Sequence, residues 1–220
     1  GGSVWLYTNQ QHTKDFTRQT NSDIAKIKQG LRKEFADAYE KSSLSNGKVV
    51  TFDMIAEPST VELFTQDDVE LELNDYRTKV WAYNGTVPGP EIRIKFGDTL
   101  RLNFTNNLLQ ETTVHFHGMR VPNAMDGVPG ITQKPIQPGD SFTYEFTPKD
   151  AGTFWFHPHV KTSEQMERGL YGTLIVEDEM DDQYSQDVTW VLDDWRIGQD
   201  LQVDPNFNTM HDLMHDGRWG

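Results

Sequence analysis

His115-Phe116-His117-Gly118 and His157-Pro158-His159 are the stretches of this chain whose residue types and spacing could do chemistry. Side chains along an extended strand alternate between faces, so His115 and His117 project together, with Cβ atoms roughly 6–7 Å apart, while Phe116 turns away. His157 and His159 repeat the arrangement. Neutral imidazole is the commonest protein ligand for transition metals, and a pair fixed on one strand offers two ligands without ordering a loop. Two pairs side by side present four nitrogen donors, either around one ion or divided among neighbouring ions. The competing reading, histidines satisfied by backbone carbonyls or simply exposed, suits a lone His-x-His. It suits two pairs poorly, because only three of the seven histidines lie outside them.

Composition narrows the partners. A chain of 220 residues can hold one sandwich-type domain with a sizeable core, or two small domains. A net charge of −14 with no basic stripe leaves nothing to neutralise phosphates, which argues against nucleic acid or an anionic membrane surface and is compatible with attracting cations. Cysteine is absent, so the sequence contains no disulfide, thiolate ligand or cysteine nucleophile. No stretch is long and apolar enough to span a bilayer, and Gly1-Gly2-Ser3 does not resemble a signal peptide.

The elements that must position the histidines follow from periodicity. Ile24, Ile27, Leu31, Phe35 and Tyr39 recur at helical spacing, predicting an amphipathic helix over 22–40 on the outside of the following domain, with a partner-binding helix as the alternative. From Lys48 the period switches to alternation, and short apolar runs separated by turn residues predict an all-β sandwich. The expected strands are 49–56, 61–64, 79–83, 91–95, 99–106, 112–117, 141–147, 152–157, 172–177 and 188–193. Asn84-Gly85, Pro88-Gly89-Pro90, Gly97-Asp98, Pro129-Gly130, Pro138-Gly139-Asp140 and Asp150-Ala151-Gly152 punctuate them. Pro158 has no amide hydrogen for a ladder, so the second histidine pair belongs at a strand end. The expected organisation is an extension over 1–47, a β domain over 48–195, and a polar linker over 196–220.

Taken together these motifs resemble the first cupredoxin domain of multicopper oxidases of the bacterial laccase and copper-efflux oxidase type. The resemblance is carried by Trp81-Ala82-Tyr83-Asn84-Gly85, Val87-Pro88-Gly89-Pro90, His115-Phe116-His117-Gly118 and Met125-Asp126-Gly127. It continues through Pro138-Gly139-Asp140, the run from Ala151 to His159, and Gly169-Leu170-Tyr171-Gly172. It implies a Greek-key cupredoxin-like sandwich or barrel whose two histidine motifs supply half the ligands of a trinuclear copper cluster that reduces dioxygen to water. On that reading His115 binds the type 2 copper, His117 and His157 share one type 3 copper, and His159 binds the other. Asp126 then lies near the type 2 copper and helps deliver protons, although Asp before Gly is also an ordinary turn signal. Trp155, Phe154 and Phe156 read as packing. The resemblance further implies an exported protein, periplasmic or extracellular.

The departures are as informative. In the family a cysteine-ligated type 1 copper and four further cluster histidines come from the last domain. Without cysteine these residues cannot build that site, and four histidines cannot hold three coppers, so the chain alone is expected to be inactive. Its remaining cupredoxin domains, in the same protein or a second chain, are the expected partners, with the stretch ending at Gly220 reading as the connection into a second domain. The alternative function is a non-catalytic copper-binding or storage module. A cupin-like zinc or iron site would want a carboxylate shortly after His117, and none stands there. Met210, His211, Met214 and His215 form a weaker, soft-ligand candidate. The reducing substrate, a phenol or a metal ion, is not legible.

Overall fold

In this computed structural model the structure describes residues 23, 24, 26, 27, 47–63, 77–178, 185–205 and 207. The chain divides into two units, Gly1–Ser43 and Leu44–Gly220. In the first, residues 23, 24, 26 and 27 are helical, as the periodicity predicts, with Ile24 and Ile27 exposed; the rest of the expected helix lies outside the described residues.

Among its described residues the second unit has eight strands: β1 (Val49–Val61), β2 (Thr78–Tyr83), β3 (Ile92–Lys95), β4 (Thr99–Asn106), β5 (His115–His117), β6 (Ser141–Phe146), β7 (Gly152–His157) and β8 (Gly172–Glu177). They form two four-stranded sheets, ordered β2-β1-β4-β6 and β3-β8-β7-β5. Alternation is the reason. In β4 Leu100, Leu102, Phe104 and Asn106 are buried, while Arg101, Asn103 and Thr105 between them are not. The inward faces meet in one core, with Met54, Leu102, Phe104 and Tyr144 from the first sheet against Ile92, Phe116, Phe156 and Leu174 from the second. Burying such side chains contributes about 1.5–3 kcal/mol each, which drives the two sheets together.

Three expected strands differ, the one over 112–117 being confined to His115–His117. Val61 ends β1 rather than opening a strand of its own, and Phe64 lies outside the described residues. Residues 188–193 carry strand-forming side chains but form no strand, because among the described residues no backbone hydrogen bond ties them to a neighbouring ladder. Residues 197–203 fold back on themselves through the Ile197–Val203 bridge and attach to the start of β2. Thr78 Oγ1 donates to the Leu201 carbonyl at 2.8 Å, and the Lys79 amide donates to Gln202 Oε1 at 2.9 Å.

Close packing is tightest where β7 meets β8. Phe156 stands opposite Gly172, and a Cβ on Gly172 would lie 2.4 Å from the Phe156 ring. Overpacking of this kind costs about 1–3 kcal/mol. Gly172→Ala should lower the urea unfolding free energy by about that amount, and Phe156→Leu in the same chain should recover part of the loss. An additive double variant would show that the ring is not what excludes the methyl group.

Candidate metal centre

β5 is only three residues long, and its position depends on Phe116. That ring is buried, stacked edge-on against Phe146 at 4.8 Å and Tyr144 at 5.5 Å. Pairs of this geometry add about 0.5–1.5 kcal/mol each beyond their area. Because Phe116 points into the core, His115 and His117 must lie on the opposite, outer face of the sheet. β7 pairs with β5 antiparallel, with His115 opposite His157, Phe116 opposite Phe156 and His117 opposite Trp155. The same alternation puts Trp155 and His157 on the outer face beside the first histidine pair.

The polar supports come from the loops. The buried Asn106 side chain donates to the Gln110 and Ile136 carbonyls and accepts from the Leu108 amide, which fixes the turn leading to β5. Tyr144 Oη accepts the Val114 amide hydrogen at 2.9 Å, one residue before His115. β7 ends at His157, as expected before Pro158, and His159 is held by its amide, which donates to Thr113 Oγ1 at 3.1 Å. Three residues later the short helix Thr162–Glu167 begins, and its buried Gln165 accepts from Thr112 Oγ1 and donates to the Glu111 carbonyl. Sequence reasoning missed Thr113, Tyr144 and Gln165. Nothing in their local sequence marks them, because their partners lie 30 or more residues away.

The four rings converge. The His115 centroid lies 5.9 Å from that of His117 and 5.3 Å from those of His157 and His159. One nitrogen from each of His115, His117 and His157 falls within 4.8 Å of the other two. His159 faces His115 but stands 6.4 Å from His157, outside that triad. Second hydrogen bonds decide which nitrogens are available. His115 Nδ1 donates to the Asp126 carbonyl at 2.7 Å and His157 Nδ1 to the Pro158 carbonyl at 2.9 Å, leaving Nε2 of each with a free lone pair. His117 Nδ1 faces His157 Nε2 at 3.2 Å. Two imidazole lone pairs at that separation repel unless a proton or a cation lies between them, so the arrangement fits a metal ion. An all-imidazole set suits copper in both oxidation states.

Burial lowers the pKa of His157 to about 4, the Pro158 hydrogen bond opposing the shift only in part. The ring is therefore neutral, the form that ligates metal. Trp155 covers the group from one side, stacked on His117 at 4.8 Å and lying 4.3 Å from His157. Asp126 is brought to His115 twice, by its carbonyl and by its carboxylate Oδ1, 3.4 Å from Nδ1. Gly127 makes this approach feasible: its φ is +74°, and a Cβ there would fall 2.0 Å from the Val114 carbonyl oxygen. Met210, His211, Met214 and His215 lie outside the described residues.

An all-β sandwich of this topology, with paired histidines at the end of two adjacent strands, defines a cupredoxin-type domain. The sequence profile of the multicopper oxidase family matches residues 65–181, and the chain belongs to that family. It is 44% identical over 124 residues to Laccase-2 of Botryotinia fuckeliana, an alignment covering 54% of this chain and 21% of that protein. It is 35% identical over 184 residues to Multicopper oxidase MmcO of Mycobacterium tuberculosis, covering 79% of this chain and 34% of that protein. The crystal structure of a multi-copper oxidase from Pseudomonas parafulva superposes with a TM-score of 0.64 at 39% identity, over 73% of this chain and 37% of the other. The fold is thus the cupredoxin sandwich that the motifs implied, and the chain spans about a quarter of the first relatives it matches.

The neutral, buried His157 has a consequence for acid stability. In the unfolded chain this ring takes up a proton near the ordinary 6.5, in the folded chain only near 4. Between those values the unfolded state binds more protons, so stability falls as pH drops through the window. In the metal-free chain the acid loss between pH 6.5 and 4 should exceed that of His157→Gln by an amount on the order of 3 kcal/mol at most, read from urea unfolding at each pH. Equal slopes would show that burial does not hold the ring neutral.

Proposed function

We propose that this chain is the N-terminal part of a copper-dependent oxidase and contributes half the ligands of a trinuclear copper cluster. His115 would hold the type 2 copper, His117 and His157 one type 3 copper, and His159 the other. The observation that carries this reading is the opposition of His117 Nδ1 and His157 Nε2 at 3.2 Å, with a His115 nitrogen close enough to join them and His159 set to one side. Bound copper would supply the redox chemistry, the passage of four electrons to dioxygen to give water.

The chain's own residues do the rest. The Asp126 and Pro158 carbonyls fix the ring orientations by taking the Nδ1 protons of His115 and His157. Trp155 shields one side of the histidines from water. The Asp126 carboxylate, partly exposed and 3.4 Å from His115, would relay protons between solvent and the cluster, a role its proximity supports. These residues hold no cysteine, and four histidines are too few for three coppers, so the remaining ligands would come from other cupredoxin domains and the chain alone would be inactive. Its short span relative to its relatives supports that division. The electron donor would be a phenol or a metal ion, in keeping with relatives named laccase and, from Escherichia coli, Copper resistance protein A, and the location would be exported, periplasmic or extracellular, as the resemblance of the motifs implies. Among the described residues no helix is long and apolar enough to cross a membrane.

Copper analysis of the longer protein encoded by the same gene tests this. It should carry four coppers per chain, absorb intensely in the blue-copper region and consume oxygen, and the His117→Ala, His157→Ala pair should lose cluster copper and oxygen consumption while keeping the blue colour. One or two weakly held coppers and no colour in the parent protein would instead point to a storage module. Asp126→Asn should keep full copper loading and slow oxygen reduction by about ten-fold or more, the scale of a lost proton-transfer group. Unchanged turnover at full loading would remove Asp126 from the proton path.

A further inference from the structure

Asp126 meets His115 through its carbonyl and its carboxylate, and the turn that presents Asp126 is anchored by the residue before it. Asn123–Met125 is a single turn of 3-10 helix with no side-chain cap and no buried residue. Its backbone closes only locally, the Met125 amide donating to the Pro122 carbonyl at 2.8 Å and the Asp126 amide to the Asn123 carbonyl at 3.3 Å. Among the described residues its one hydrogen bond to β6 runs through the Met125 side chain. Met125 Sδ accepts the Glu145 amide hydrogen at 3.4 Å in a solvent-exposed position, while the side chain packs, partly buried, against the core. β6 is the edge of its sheet, so an outward amide has no further strand to pair with, and the thioether takes the place of one.

A thioether is also the group in this turn that an oxidant attacks. Met54 and Met119 belong to the same core but are 1% and 8% exposed, whereas Met125 is half-buried and its sulfur contact lies open to water. We propose that Met125 is a reversible oxidation site whose conversion to the sulfoxide by hydrogen peroxide loosens the turn carrying Asp126, and with it the orientation of His115. The peroxide O–O bond breaks as an S–O bond forms; sulfur gives up two electrons, and the second oxygen leaves as water. The product is polar and chiral where the thioether was flexible and apolar. If the new oxygen takes the sulfur lone pair that faces Glu145, it lifts the turn from β6. If it takes the other, it sets a polar atom in the apolar contact with the core. Asp126, bonded directly to Met125, carries either displacement to His115 Nδ1. Sulfoxide reductases reverse the step, so the change can be undone. The inference concerns the metal-free chain and holds whichever metal the histidines take.

The test exposes the metal-free 220-residue chain to hydrogen peroxide at neutral pH and follows each methionine by peptide mass spectrometry. Met125 should gain its oxygen several-fold faster than Met54 and Met119 in the folded chain, and at the same rate as they do in urea. The effect on His115 is read by NMR with nitrogen-labelled histidine, since a ring N–H that donates to a carbonyl is sheltered from exchange with water. Once Met125 is oxidised, the His115 Nδ1 proton should exchange several-fold faster, while that of His157, bonded to the Pro158 carbonyl, should not change. Methionine sulfoxide reductase with a dithiol should restore the slow rate. Met125→Leu keeps the apolar contact and should show slow His115 exchange both before and after peroxide. Oxidation of Met125 no faster than that of the buried methionines overturns the proposal. So does a His115 signal that stays unmoved at full Met125 oxidation, or one that responds to peroxide equally in Met125→Leu.

Discussion

The cross-strand pair Phe116–Phe156 is the constraint on which the histidine cluster depends. Both rings are buried in the core, and they stand directly opposite one another in the antiparallel pairing of β5 with β7. Side chains alternate strictly along a strand, so a register slip of one residue would expose two phenyl rings and bury imidazoles in their place. Burial of each ring is worth a few kcal/mol, about 1.5–3, enough to exclude the slipped register. The hydrophobic core thereby sets which way His115, His117 and His157 face, although none of them belongs to it.

A second set of restraints turns facing rings into a ligand geometry. Alternation alone leaves each imidazole free to rotate, and the hydrogen bonds from His115 Nδ1 to the Asp126 carbonyl and from His157 Nδ1 to the Pro158 carbonyl remove that freedom. His159 lies past the end of β7, where no ladder reaches it, and Thr113 holds its amide instead. Asn106, Thr112 and Gln165 are buried and hydrogen-bonded, as polar groups in an interior must be. Together they tie the loop before β5 to the helix after His159. The two histidine motifs, some 40 residues apart in the chain, are thus braced against each other on both sides.

The two sheets have unlike surfaces for a related reason. The outer face of the first carries ordinary solvated pairs, such as Arg101 with Glu145 and Asn103 with Asp53. The outer face of the second carries the histidines, Trp155 and the overlying segment 187–193. A face that groups aromatic rings, apolar side chains and the buried, neutral His157 is poorly matched to water.

The sequence by itself determined the alternation, the turns, the all-β class and the two histidine pairs, because these are local: a period of two and a Gly or Pro between runs are properties of neighbouring residues. It also determined that these 220 residues supply no thiolate to the site. Tertiary structure alone decided that His115 stands opposite His157, that His117 rather than His159 joins them in a triad, and that Thr113, Tyr144 and Gln165 are the braces. Register and long-range hydrogen bonds depend on which distant strands meet, and no local pattern encodes that. The segment 188–193 shows the boundary most sharply. Its residues have every local property of a strand, yet a strand exists only where another edge completes its ladder, and the described residues offer none.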